Sequence, residues 1–245
     1  MRNLKLTIAY DGSRYRGWQR LADTSNTIQG KLEATLSRLL GEPIEIIGSG
    51  RTDAGTHAMG QVANFHCRNA MSCQQILSDL RRYLPEDIGI LSCEETGPRF
   101  HARYNARAKT YLYRVWNSEL PCVFQRAQVY RYEEALDLDR MRQAASYFLG
   151  THDFRAFSSI KNSKKSTVRT IDRLDITRDG QEVHFRFRGD GFLYHMVRIL
   201  VGTLLEAGSG RLDPQQIPAI FESQNRVEAG YTVPPHGLFL MEVAY

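Results

Sequence analysis

Arg51, Asp53 and His57 share one glycine-rich segment, GRTDAGTHAMG, residues 50 to 60. A carboxylate in such a loop can serve as a nucleophile or a base, and both uses need a charged, dry, positioned oxygen. Burial alone would raise its pKa and neutralise it. A guanidinium partner opposes that shift without losing its own proton. Glycines at 50, 55 and 60 open backbone shapes closed to other residues. Plainer readings exist: a turn aspartate bonding its own backbone, a helix cap, or a surface charge paired with Arg51. A metal-dependent hydrolase built on Asp53 and His57 would need further ligands, and the chain offers no CxxC pair and no helically spaced His pair. The local pattern alone favours the plainer readings.

The elements that must position this loop are legible from periodicity. Leu4, Leu6, Ile8 and Tyr10 alternate along residues 3–10, the pattern of a half-buried strand. Ile28, Leu32, Leu36, Leu39 and Leu40 recur at helical spacing, with Gly41 as a stop. Residues 43–47 and 61–67 read as strands on either side of the loop. Ser72, with Gln75 three residues on, opens a second helix carrying Ile76, Leu77, Leu80, Tyr83 and Leu84. Residues 88–93 make a fourth strand. That order, βαββαβ, is the ferredoxin-like split unit.

The second half repeats the plan less tidily. Residues 109–116 and 128–132 read as strands. Asp137 can cap a helix closed by Gly150. Residues 167–176 and 182–188 form a hairpin around Asp179-Gly180. A helix covers 193–207, another starts at Asp213-Pro214, and a strand closes the chain at 238–244. The expectation is an α+β protein of two ferredoxin-like halves with antiparallel sheets around a central RNA-binding cleft. The N-terminal half is 1–105 and carries the Asp53 loop; the larger C-terminal half is 106–245.

Composition bounds the partners. The chain has 245 residues and a net charge of +5, a mild basic excess that permits a polyanion without demanding one. Four cysteines without metal spacing suit a reducing compartment. Residues 1–12 lack the apolar core of a signal peptide, and no apolar run reaches the ~20 residues that span a bilayer. A cytoplasmic protein with no membrane partner is expected.

Several ordered motifs resemble the TruA family of tRNA pseudouridine synthases. The loop is similar to that family's GRTDAGVHA signature, with Thr56 where valine is usual. The strand KTYLYRVWN, the segment FLYHMVRILVG from Phe192, and TVPPHGLFL near the C-terminus also resemble family segments. Asp190 and Gly191 precede Phe192 where the family usually has Asn-Ala or similar. The likeness runs the whole chain, from IAYDGSRYRGWQ onward. It implies a catalytic role for Asp53. It implies that Arg51 helps open the RNA, that Tyr111 packs on the target base, that Arg198 pairs with the aspartate, and that Leu240 lines the base pocket. It further implies uridine isomerisation at positions 38 to 40 of the anticodon stem-loop, by a homodimer acting on tRNA. No metal, nucleotide or flavin cofactor is implied.

RNA-backbone candidates are Arg14, Arg16 and Arg20, interleaved with Tyr15 and Trp18, and Lys161, Lys164 and Lys165 in SSIKNSKKST. Arg81, Arg82, Arg103 and Arg107 are further basic positions. A non-catalytic RNA-binding module of the RRM plan is the rival reading, but no RNP1-type strand occurs.

Overall fold

The computed structural model describes residues 1–160 and 166–245. Two compact units emerge: residues 1–107 with 239–245, and residues 108–238. Sequence order would put the closing strand with the second half; in the structure all but its first residue packs in the first unit.

The first unit is built on β1 (Arg2–Tyr10), α1 (Ile28–Leu40), β2 (Ile46–Gly48), β3 (His57–Cys67), α2 (Cys73–Tyr83) and β4 (Ile88–Thr96). The sheet runs β4-β1-β3, with β2 on the far edge of β3. Leu4, Leu6 and Ile8 are fully buried on one face of β1. Thr27 caps α1 through the Gly30 N–H, and Gly41 closes it at φ 69°. Ser72 caps α2 by accepting from the Gln75 N–H.

Two boundaries differ from expectation for through-space reasons. Ile44 and Ile46 donate their N–H groups to Ser37 and Glu33 of α1, so the segment from residue 43 serves the helix and β2 starts only at Ile46. β3 begins at His57, four residues before the apolar alternation suggests. The closing strand β10 (Leu238–Ala244) runs parallel to that extension, with Phe239 opposite His57 and Leu240 opposite Ala58. A Cβ on Gly60 would lie 2.4 Å from the Met241 carbonyl oxygen, so the glycine that reads as a loop signal permits a close strand approach.

The second unit holds β5 (Ala108–Asn117), β6 (Tyr130–Tyr132), α3 (Leu138–Ser146), β7 (Gly150–Asp153), β8 (Val168–Asp179), β9 (Glu182–Gly189), α4 (Met196–Gly208) and α5 (Ile217–Ser223). The sheet order is β6-β5-β9-β8-β7. The β8–β9 hairpin turns at Gly180, φ +56°, as the Asp-Gly pair predicts. Gly150 at φ +97° opens β7 and does not close α3. α4 starts three residues late because His195 adopts φ 61°, a left-handed state that no continuing helix accepts. Residues 230–233 lie against α4 so tightly that a Cβ on Gly202 would meet the Tyr231 carbonyl oxygen at 1.9 Å.

Candidate active site

The loop carrying Asp53 is fixed at its stem and from beneath. Ser49 donates its N–H to the Val62 carbonyl (2.7 Å) and its hydroxyl to Gln61 (2.6 Å). Gln61 in turn donates to the Gly50 carbonyl. The floor is the segment 11–18. Trp18 N–H donates to the Thr52 carbonyl (3.1 Å), and Gly55 N–H donates to the Tyr15 carbonyl (3.3 Å). The Tyr10 hydroxyl pairs with Thr52 Oγ1 at 2.8 Å. Burial, opposed by that hydrogen bond, pushes the Tyr10 phenol up to about 12, so it stays neutral at working pH. Inside the loop, Thr56 N–H donates to the Asp53 carbonyl (3.1 Å), closing a turn around the aspartate.

Two glycines make this fit possible. Gly17 sits at φ +90°, and a Cβ there would lie 2.7 Å from the Thr52 carbonyl oxygen. A Cβ on Gly12 would lie 2.0 Å from the Thr56 carbonyl oxygen. Asp53 is half-buried and Arg51 exposed. Leu240, fully buried, is brought beside Ala58 by the β10–β3 register. His57 is also buried. Its Nδ1 accepts the Gly12 N–H at 3.1 Å, and its ring stacks on Phe239 at 4.6 Å. These contacts make it a structural histidine.

The interleaving of Arg14, Arg16 and Arg20 with Tyr15 and Trp18 predicts a loop suited to phosphate and base contact. Tyr15 and Trp18 are instead 6% and 2% exposed, and they support the catalytic loop. The Tyr15 hydroxyl donates to Asp87 at 2.5 Å, and a Cβ on Gly48 would lie 2.6 Å from the Trp18 ring, so both side chains are committed to packing. Arg14, Arg16 and Arg20 are exposed, and each is matched by a carboxylate: Asp87, Asp23 and Glu33 respectively. Burial raises the Asp87 carboxyl, but Tyr15 and Arg14 outweigh it and hold the group below its ordinary value. Lys161, Lys164 and Lys165 lie outside the described residues.

Thr56 carries a signal that the loop motif contained. It is 1% exposed, and its hydroxyl has no hydrogen-bond partner among the described residues. The related motif has valine there, which fills the same space with no polar atom to satisfy. Thr56→Val is expected to raise stability by about 1–3 kcal/mol and leave turnover unchanged; denaturant melts and initial rates check both.

In the second unit Tyr111 lies on β5, 8% exposed, its ring edge-on to Phe192 at 5.1 Å. Arg198 stands in the first turn of α4, half-buried, and its Nε donates to the Val233 carbonyl at 2.7 Å. The Tyr113 hydroxyl donates to the next carbonyl, Pro234, at 2.7 Å. The segment TVPP is thus pinned both to α4, which carries Arg198, and to β5, which carries Tyr111 and Tyr113. Sequence reasoning missed Tyr113 because it reads as an ordinary alternating strand residue. A cavity of about 500 Å³ opens elsewhere in this unit, lined by Leu112, Arg142, Arg173, Asp175, His184 and Arg186 among others. Leu112 alternates with Tyr111 along β5 and so faces away from it. Asp139, Asp175 and Glu182 match Arg142, Arg173 and His184, so most of the charges around this cavity are already paired.

Among the described residues no group of three His, Cys, Asp or Glu side chains could hold a metal ion. No helix there is long and apolar enough to cross a membrane. A carboxylate loop on a ferredoxin-like unit, with an aromatic strand and an arginine-bearing helix in a second α+β unit, fits an enzyme acting on RNA. Residues 6–105 and 144–245 match the family model described as tRNA pseudouridine synthase, and the chain belongs to that family. It is 47% identical over its full length, and that of its relative, to a tRNA pseudouridine synthase A of Bacillus sp. (strain KSM-64). A protein of that name from Acetivibrio thermocellus is 46% identical, again with 100% of both chains covered. The chain is therefore an isomerase of tRNA uridine.

Proposed function

We propose that this isomerase acts at positions 38 to 40 of the tRNA anticodon stem-loop, with Asp53 as the nucleophile on a flipped-out uridine. The observation that supports this reading most is the cradle around Asp53. Backbone hydrogen bonds from Trp18, to Tyr15 and from Thr56 fix the peptide units on both sides of one half-buried carboxylate. A positioned charge of this kind is what the reaction needs.

The chemistry balances without an oxidant or reductant. The C1′–N1 bond breaks, the uracil turns, and C5 joins C1′; the C5 proton leaves and N1 is left protonated. Asp53 can assist by attacking C1′, by adding to the ring at C6, or by taking a ribose proton. Tyr111 holds the loose ring, because stacking tolerates rotation in the ring plane. Arg198 is the proposed guanidinium partner of the Asp53 carboxylate, a fixed charge that does not lose its proton. Arg51 assists in extracting the base, at a cost of about a few kcal/mol in lost stacking, and Leu240 lines its pocket. Arg14, Arg16, Arg20, Lys161, Lys164 and Lys165 are the proposed backbone contacts. The working form proposed is a cytoplasmic homodimer.

Unmodified tRNA transcripts carrying uridine at 38, 39 and 40 test the site. Purified protein should convert those uridines, as read by pseudouridine mapping. Conversion elsewhere in the tRNA would overturn the anticodon assignment; no conversion at all would overturn the reading as a whole.

A further inference from the structure

The segment from Gly97 to Arg107 has no role in the chemistry above, yet it is held rigidly on the first unit. Asn3 of β1 donates to the carbonyls of Gly97 and Phe100 (3.0 and 2.9 Å). Asn64 of β3 accepts the Ala102 N–H at 2.8 Å, and the Tyr245 hydroxyl donates to the Ala102 carbonyl at 2.7 Å. Asn3 alternates with the buried Leu4, so the segment lies on the sheet face opposite Leu4, Leu6 and Ile8.

Within it, His101 is locked. Its Nδ1 accepts the backbone N–H groups of Arg103 and Tyr104 (3.2 and 3.3 Å), and its backbone N–H donates to the Asn105 side chain at 2.7 Å. The Tyr104 ring stacks on this fixed imidazole, centroids 4.1 Å apart and planes 29° apart. Tyr104 is nevertheless 77% exposed. A tyrosine held flat on one side and open to solvent on the other gains little from core packing. It is built as a surface for another flat ring.

Charge says what kind of ring. Arg99, Arg103 and Arg107 are exposed, and among the described residues none forms an ion pair with a carboxylate. No acidic residue occurs between Glu95 and Glu119. The floor arginines 14, 16 and 20 each have a carboxylate; these three do not. An open aromatic face ringed by unmatched guanidinium groups fits an unpaired nucleotide: base on the ring, phosphates on the cations.

We propose that Tyr104, stacked on His101 and flanked by Arg99, Arg103 and Arg107, is a second RNA-binding subsite that takes an unpaired nucleotide of the tRNA outside the reacting uridine. The inference rests on tRNA being the substrate. Its role is grip, so it acts on binding and leaves the chemical step alone.

The test compares Tyr104→Ala, Tyr104→Trp and Arg103→Gln with the wild-type chain. Binding of an unmodified tRNA transcript is measured by titration at several salt concentrations, with KM and kcat for pseudouridine formation measured beside it. Tyr104→Ala should weaken binding and raise KM about tenfold, the order expected of one lost base stack, with kcat held. Tyr104→Trp should bind as wild type or tighter. Arg103→Gln should lower the slope of log K against log salt by about one. Unchanged binding and KM in Tyr104→Ala, with its melting point unmoved, overturn the subsite. So does a fall in kcat at constant KM, or a change of oligomeric state without a change in RNA affinity, which would mark a protein contact. A wild-type chain that forms no pseudouridine would instead sink the functional reading, so the two failures are separable.

Discussion

Asp53→Asn is expected to bind tRNA within about twofold of the wild-type chain and to lose turnover by about 10⁴-fold or more, the scale seen when a covalent nucleophile is removed. Asparagine keeps the size and the loop position but carries no negative oxygen. It cannot bond to C1′ or C6, nor take a proton from the ribose. Binding should survive because a lone carboxylate contributes repulsion, not grip, against phosphates. The loop should survive as well, since backbone groups of Thr52, Asp53 and Gly55 carry hydrogen bonds that position it, and asparagine leaves those in place. Release of the C5 hydrogen and pseudouridine mapping read the rate; a titration with labelled transcript reads the affinity. Turnover within tenfold of wild type would refute the nucleophile assignment.

Gly12→Ala should lower turnover by about 100-fold without touching the carboxylate. The added Cβ would lie 2.0 Å from the Thr56 carbonyl oxygen, 2.7 Å from its carbon and 3.1 Å from its nitrogen. All three are backbone atoms, so no side chain can swing aside. Either the floor segment or the Asp53 loop must shift. Overpacking of this kind costs about 1–3 kcal/mol, and misplacing a reacting group by about 1 Å costs about 100-fold in rate. Gly41→Ala is the control. Gly41 has open space around it but sits at φ +69°, so alanine there strains the α1 terminus without reaching the site. Both variants should lower the melting point; only Gly12→Ala should lower kcat. If Gly12→Ala turned over normally, the cradle would not be what positions Asp53.

Much of the fold was readable because its signals are local. The alternation of Leu4, Leu6 and Ile8 marks β1, and the helical spacing from Ile28 to Leu40 with its Gly41 stop marks α1, all within a turn or a pleat of the residues involved. Failures occurred where a residue answers to a distant partner. Gly60 looks like a loop residue in the sequence because its neighbour in space, Met241, is far along the chain. The periodicity places the start of α4 too early because His195 looks like any other residue in an apolar run; its left-handed backbone is visible only in three dimensions.

The candidate site shows the same division. Residue type and order, with the family likeness, singled out Asp53, Tyr111, Arg198 and Leu240. They could not tell a supporting aromatic from a free one. Tyr15 and Trp18 sit among arginines in the sequence and are buried under the Asp53 loop, whereas Tyr104, in a similar basic stretch, stands exposed. Nor could they tell a neutralised arginine from an unmatched one, since Arg14 and Arg20 find Asp87 and Glu33 through the fold.

By itself the sequence determined the α+β class, the order of most elements, the loop that carries the carboxylate, and the family. Only the tertiary structure decided that β10 returns to the first unit, that Gly12 and Gly17 admit the floor beneath Asp53, and which cations keep their charge for a ligand. Patterning reports contacts between residues a few positions apart, because helix and strand geometry repeat over that distance. Charge matching and close backbone approach depend on strand register and packing between residues far apart in the chain, and no local period records them.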